Sequence, residues 1–267
     1  EWTVLGLKRG GSEVDAGYFD HYGARLEQAV QSCGGVLSTR KYTEYSRVIL
    51  ALSALGCDAR DFAGFDLTLP LGDYEKTVTQ GVNGAIYALL ALDSRNYPVP
   101  QRPDAAVQAS RQRYVDGILS AQHTDGGWGF GEDSDPDLTA MALQALAKYQ
   151  EQSSVASATV CALECLSDMQ DGDGGYASGG VKNAESCAQV LLALNELGIS
   201  VDDRRFTKNS CTVLSALLAF QLSDGSFCHV SNGKTDLMAS EQALCALASI
   251  VRAERGETSF YRMDAMS

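Results

Sequence analysis

Gln122-His-Thr-Asp-Gly126-Gly-Trp128 and, beyond the acidic loop Gly129 to Pro136, Asp137-Leu-Thr-Ala-Met-Ala-Leu-Gln-Ala-Leu-Ala147 form the stretch that decides the fold. The first part reads Q-x-x-x-G-x-W, a glycine turn with an aromatic close behind it. The second carries apolar residues on nearly every face, and a helix that is apolar all round is buried.

The same plan recurs along the chain, and recurrence at a spacing of a few tens of residues marks a repeat architecture. Gln31-Ser-Cys-Gly-Gly35-Val-Leu37, Gln170-Asp-Gly-Asp-Gly174-Gly-Tyr176 and Gln221-Leu-Ser-Asp-Gly225-Ser-Phe227 carry the same spacing. Ala-rich helices follow or align with them, and Ala51, Ala91, Ala145, Ala193 and Ala246 are equivalent, at steps of 40, 54, 48 and 53 residues. The partner helices mix polar and apolar faces: Tyr18 to Gln31, Ala105 to Gln122, Ser157 to Gln170 and Lys208 to Gln221. They suit an outer ring with one solvated side, and the Ala-rich helices suit an inner ring. Trp2 to Gly10 reads as the end of a sixth inner helix. Asp137 and Asn83 lie near helix starts, where they are expected to cap, and Gly56 and Gly198 read as helix stops. Asp58 to Asp73 is less regular and is expected to hold a degenerate outer helix. Pro98, Pro100 and Pro103 mark a connector. The tail from Arg255 to Ser267 is expected to pack as a closing strap. The reading is an all-α chain forming one domain over residues 1–267, its first hairpin lacking the outer helix.

Composition narrows the function. Hydrophobic residues make up 45% and charged residues 21%, which suits a folded core. The net charge of −13 disfavours nucleic acid, which needs clustered Lys and Arg. It equally disfavours an anionic membrane surface. No apolar run reaches the length of a membrane span, so no integral membrane protein is expected. The chain starts at Glu1 without Met, as a mature protein or an excised domain would. The eight cysteines contain no C-x-x-C pair. Cys161 and Cys165 share one helical face, and Cys187 and Cys245 sit inside apolar helices, so they read as small buried hydrophobes.

The Q-x-x-x-G-x-[aromatic] repeats resemble the QW motif of squalene and oxidosqualene cyclases. The hairpin repeat also resembles protein prenyltransferase β subunits and the helical domain of transcobalamin-type cobalamin carriers. Lys41 to Leu52, Gln80-Gly-Val-Asn-Gly84, Asp137 to Leu146 and Glu241-Gln-Ala-Leu244 make the chain most similar to bacterial secreted or surface proteins carrying a prenyltransferase-like domain. The resemblance implies an α/α toroid of about six helical hairpins in two concentric rings, and an extracellular or cell-surface location. One toroid hosts several activities, so it does not by itself imply a reaction.

Three chemistries follow from the resemblance. Class II terpene cyclases carry Asp-x-Asp-Asp-Thr-Ala, whose middle Asp protonates a polyene. Asp135-Pro-Asp137-Leu-Thr139-Ala140 matches it, with Asp135 as the first acid and Asp137 as the catalytic one. Leu138 in place of the last Asp weighs against acid chemistry, and an acidic loop capping the helix explains the same residues. Protein prenyltransferases hold zinc with an Asp-x-Cys and a later His. Here Asp236-Leu-Met238 lacks the Cys and no His follows, so no metal site is expected. The third chemistry is ligand binding at the mouth where the inner helices start. Its candidates are Tyr42, Tyr45, Gln80 and Asn83 in the first half of the chain. In the second half they are Trp128, Phe130, Thr139 and Tyr176, with Glu185, Asp236 and Glu241. Aromatics with a few polar groups suit a large, partly apolar small molecule. The resemblance points to cobalamin or another corrinoid, or to a polyprenyl lipid, and to a small β domain as partner. For Trp128 and Tyr176, packing of the glycine turns accounts for the aromatics equally. The acidic loops Glu132 to Asp137 and Asp171 to Asp173 lack calcium-loop spacing. No phosphate-binding glycine loop is present.

Overall fold

The structure, a computed structural model, describes residues 1–263. Its helices are α1 (Trp2–Gly10), α2 (Tyr18–Ser32), α3 (Thr43–Leu55), α4 (Tyr74–Thr77), α5 (Val82–Ser94), α6 (Arg111–Ser120), α7 (Pro136–Leu146), α8 (Ser153–Met169), α9 (Ala184–Glu196), α10 (Val213–Leu218) and α11 (Leu237–Glu254). Two short antiparallel hairpins interrupt them: β1 (Ala177–Ser178) with β2 (Val181–Lys182), and β3 (Thr207–Lys208) with β4 (Cys211–Thr212). The described residues divide into two compact units, Glu1–Ile118 joined by residues 261–263, and Leu119–Phe260.

In the first unit α3 lies between α1 and α5. Ile49, Leu50, Leu52, Ile86, Leu89 and Leu92 are wholly buried. The Met263 backbone N–H donates to the Ser94 carbonyl (2.6 Å), and Arg9 Nη2 donates to the Arg262 carbonyl (3.0 Å). The expected strap is therefore seen at 261–263, and residues 264–267 lie outside the described residues. In the second unit α9 lies between α7 and α11, while α8 packs on α7 and α10 on α9. The three central helices run parallel. Gln144 on α7 donates to Gln189 on α9 (2.8 Å), which donates to Gln242 on α11 (3.0 Å), and Asn195 donates to Ser249 further along (2.7 Å).

Three expected outer helices differ. Residues 58–73 form turns: Phe62 and Phe65 bridge around Ala63 and Gly64, both at positive φ, and only a 3-10 turn follows at Leu69–Gly72. Helix α6 begins at Arg111, because the side chain of Gln108 bonds the Arg102 N–H and the Pro100 carbonyl and so replaces helical partners. Helix α10 is short because Asn209 and Ser210 take left-handed backbone and turn the β3–β4 hairpin in its place.

The glutamine motif has a physical role in two of its four copies. Gln122 Nε2 donates to the carbonyls of Gly126 (2.7 Å) and Ala158 (2.9 Å). Gln170 Nε2 does the same to Gly174 and Phe206 (both 2.9 Å). One amide thus closes its own turn and ties it to the next repeat. Gly126 and Gly174 have positive φ, and a Cβ on either would fall within 2.7 Å of a neighbouring carbonyl oxygen. Trp128 and Tyr176 are fully buried behind these turns. Gln31 and Gln221 are exposed and make no such clamp. Gln170→Ala should therefore cost about 1–3 kcal/mol, since it leaves two buried carbonyls without this donor. Gln221→Ala should be close to neutral. Urea unfolding of both variants tests this, and an equal loss in the two would contradict the clamp.

Candidate functional site

The starts of α7, α9 and α11 are built alike. Asp135 caps α7: its Oδ1 accepts from the backbone N–H groups of Asp137 (2.9 Å) and Leu138 (3.1 Å). Asn183 caps α9 by accepting from the Ser186 N–H (2.8 Å), and Asp236 caps α11 by accepting from the Ala239 N–H (2.9 Å). Pro136 follows Asp135, and its fixed φ and missing N–H suit a first helical position. The expected cap at Asp137 is thus corrected by two residues. Asn83 is corrected likewise, since α5 starts from Gly81 without a side-chain cap.

Asp137 occupies the second helical position, facing α9. Burial pushes its carboxyl up to about 6. The Ser186 hydroxyl opposes that rise, Asp135 and Glu185 reinforce it, and His229 opposes it. Asp137 Oδ1 is enclosed, and the hydroxyl of fully buried Ser186 stands against this carboxyl as the donor that opposes its rise, though outside strict hydrogen-bond geometry. Around this pair, Ser178 Oγ on β1 donates to Asp135 Oδ2 (2.5 Å). His229 Nδ1 lies 2.9 Å from Glu185 Oε2, and the His229 carbonyl accepts from the Ala184 N–H (3.1 Å), which pins the loop before α11 to the start of α9. Large apolar side chains stand exposed at the same end of these helices: Phe130 (74%), Leu237 (73%) and Met238 (61%). Gln144, Gln189 and Gln242 continue the polar strip along the helices.

The structure therefore brings together Asp135, Asp137 and Glu185, with Phe130, Asp236 and Glu241 at the same end of the unit. Thr139 is fully buried, and its hydroxyl is engaged by Trp128, accepting from its N–H (2.9 Å) and donating to its carbonyl (3.1 Å). Trp128 and Tyr176 are interior, and the Tyr176 hydroxyl donates to the Leu166 carbonyl (3.0 Å). These three are occupied in holding the glycine turns. Tyr42, Tyr45, Gln80 and Asn83 belong to the first unit. There the two tyrosines meet edge to face and are buried, and Gln80 Oε1 accepts from the Thr43 hydroxyl (3.0 Å), supplying the start of α3 with a partner it lacks. Sequence reasoning missed Ser178, Ser186 and His229, whose roles arise from contacts between repeats. Aligning the repeats at the cap would have found Ser186, three residues beyond Asn183.

Among the described residues no group of three His, Cys, Asp or Glu side chains is placed to hold a metal ion. All eight cysteines are free thiols; the expectation that they are buried holds for Cys165, Cys187, Cys228 and Cys245 but is corrected for Cys33 and Cys161, which are exposed, and burial pushes the thiols of Cys165 and Cys187 up to about 11 and about 12, which leaves them poor nucleophiles. No described helix is long and apolar enough to cross a membrane.

A family model, the prenyltransferase alpha-alpha toroid domain, matches residues 69–263. The chain belongs to this family. The match takes in α5 through α11, the all-α toroid class expected from the repeats, and every residue of the site just described. No curated protein matches the chain. Within this toroid domain the acidic position is set by the repeat itself. Counting from the cap, Asp137, Glu185 and Met238 are equivalent, so one helical position carries an acid, an acid and an apolar side chain.

The raised pKa of Asp137 has a thermodynamic sign. The folded state holds this proton more tightly than the unfolded state. Stability therefore falls as pH rises from about 4 to about 6, and above that the full cost of the buried carboxylate is present. Asp137→Asn should be more stable than wild type at pH 7. The gain is up to about 3 kcal/mol at about 1.4 kcal/mol per pH unit of displacement, and less to the extent that water screens the partly exposed side chain. The gain should vanish near pH 4. Urea unfolding at pH 4 and pH 7 measures it, and a pH-independent difference would refute the assignment.

Proposed function

We propose that the chain is a non-catalytic ligand-binding domain that takes a large, partly apolar small molecule at the starts of α7, α9 and α11. The observation that carries this reading is the exposed apolar cluster of Phe130, Leu237 and Met238, which stands at the same end as the enclosed polar atoms Asp137 Oδ1 and Ser186 Oγ. Buried polar atoms outside good hydrogen-bond geometry are uncommon, and an exposed apolar cluster beside them is what a partly apolar ligand requires. Its resemblance to transcobalamin-type carriers and to polyprenyl-handling toroids makes a corrinoid or an isoprenoid lipid the ligand class. The same resemblance supports a secreted or cell-surface location, with a separate small β domain as partner.

A second reading, an enzyme of the class II terpene cyclase kind, is favoured by one observation: burial keeps the Asp137 carboxyl half-protonated near pH 6 with one oxygen outside any well-formed hydrogen bond. In that reading Asp137 donates its proton to an alkene and Asp135 positions the start of the helix.

Native mass spectrometry of the purified protein with cobalamin and with geranylgeraniol, joined to chromatography of the extracted prenol because proton-initiated cyclisation gives an isomer of the same mass, separates the readings. Binding predicts a one-to-one adduct with one of them, unchanged in mass, and weakened about tenfold or more in the Phe130→Ala/Met238→Ala double variant. Chemically altered prenol that disappears with Asp137→Asn would move the assignment to the enzyme. No adduct with either ligand would sink the binding reading.

A further inference from the structure

Three helices of the first unit end on a left-handed residue: Gly11 after α1, Gly56 after α3 and Asn96 just beyond α5. Nine residues before each stand Trp2, Arg47 and Tyr87, which are therefore equivalent in level and in face. The same count back from Gly198 reaches Gln189 on α9, whose amide donates to Gln242 on α11, so this position faces the neighbouring helices. Helix α3 packs between α1 and α5, yet the Trp2 and Tyr87 rings meet across it, 5.9 Å between centroids. The ring pair thus spans the level of Arg47.

Arg47 differs from its two equivalents in carrying a charge that nothing balances. Its Nε is shut off from solvent and has no partner. Among the described residues no carboxylate or carbonyl takes a hydrogen bond from its guanidinium, and Glu44, one turn earlier on α3, does not pair with it. The two terminal nitrogens are not enclosed, and the side chain is part-exposed. Tyr22 on α2 does not neutralise it. Burial pushes that phenol well above its ordinary pKa, Glu1 and Tyr18 add to the rise and Arg47 opposes it, so the group stays an O–H. A guanidinium does not shed its proton in a protein, so Arg47 keeps both its charge and an open pair of donors.

We infer that the first unit binds a planar apolar carboxylate, its head forked onto Nη1 and Nη2 of Arg47 and its body against the rings of Trp2 and Tyr87. A carboxylate matches the guanidinium fork with two parallel hydrogen bonds, and the rings offer offset or edge contacts to a flat body. A diphosphate is poorly matched, because Arg47 is a single cation. Lys76 is held by Asp73 (3.1 Å), and Arg40 and Lys41 stand exposed on the loop before α3. The site is built wholly from first-unit residues and does not depend on the binding reading of the second unit.

Isothermal titration calorimetry at pH 7 with 2-naphthoate, 2-naphthamide and 2-naphthyl phosphate tests this. The expected outcome is one-to-one binding of naphthoate, with the neutral amide weaker by about tenfold or more and the phosphate no tighter than the carboxylate. Arg47→Gln should lower naphthoate to the level of the amide, and Arg47→Lys should restore only part of the difference, because lysine lacks the fork. In urea unfolding Arg47→Gln should be at least as stable as wild type, since it removes an enclosed Nε without a partner. A large loss of stability would make Arg47 a structural residue and overturn the inference. Equal binding of naphthoate and naphthamide, tighter binding of the phosphate, naphthoate binding untouched by Arg47→Gln, or no binding of any probe would each overturn it as well. Phe130→Ala/Met238→Ala should leave naphthoate binding unchanged; a loss there would move the ligand to the second unit.

Discussion

A helix packed on all sides has few ways to satisfy its first backbone N–H groups, and the three central helices of the second unit share one solution. Each begins at a side chain that folds back onto its own N–H groups: Asp135, Asn183 and Asp236. The cap fixes where the helix starts, and hence which residue stands at its second position. It also decides the electrostatics of that end of the unit, because a carboxylate cap delivers negative charge where a bare helix start would have offered positive. Asp137 inherits its raised pKa from this arrangement. It is buried between helices whose starts are already acidic, and neither an arginine nor a lysine pairs with it. The chemistry of the site is in this sense a by-product of how the inner helices are begun.

The glutamine clamps hold the other requirement, that successive repeats keep their register. Gln122 and Gln170 each bind two carbonyls, one in their own turn and one in the next repeat. The turn must then come within van der Waals reach of a neighbouring backbone, which only glycine permits at positions 126 and 174. Trp128 and Tyr176 seal the volume behind the turns. Thr139 and Ser240 perform one further shared task, each exchanging hydrogen bonds with the backbone of the aromatic before its helix, Trp128 and Phe227. The aromatic of the motif is thus anchored by its backbone as well as by its ring.

Much of this was legible in the sequence, for a physical reason. Burial on all sides leaves an unmistakable trace in composition, so α3, α5, α7, α9 and α11 could be read directly. The outer elements face solvent and leave a weaker trace. Residues 58–73 and 207–212 form turns and hairpins where helices were expected, because positive-φ residues such as Ala63, Asn209 and Ser210 need not be glycine. The cap of α7 was misplaced by two residues, since Asp135 and Asp137 are chemically alike and only backbone geometry tells them apart. The site was half legible. Asp135, Asp137 and Glu185 follow from local pattern and resemblance. Ser178 and His229 could not be found that way, because each acts across more than forty residues of chain.

The repeat also separates what must stay constant from what is free to differ. Across α7, α9 and α11 the cap and the buried first turn are kept, and the second helical position carries Asp137, Glu185 and Met238 in turn. In the first unit the position equivalent by repeat spacing carries Asn83, whose Oδ1 is likewise enclosed and without a partner. Had these side chains served only to start helices, the second position would carry no polar cost. Instead it twice holds an enclosed oxygen, Asn83 Oδ1 and Asp137 Oδ1, that meets no well-formed hydrogen bond among the described residues, an arrangement typically costing on the order of 1–3 kcal/mol per group. Side-chain caps serve folding at α7, α9 and α11, whereas the enclosed oxygens cost stability, so the second helical position is the part of the repeat that folding leaves free to vary.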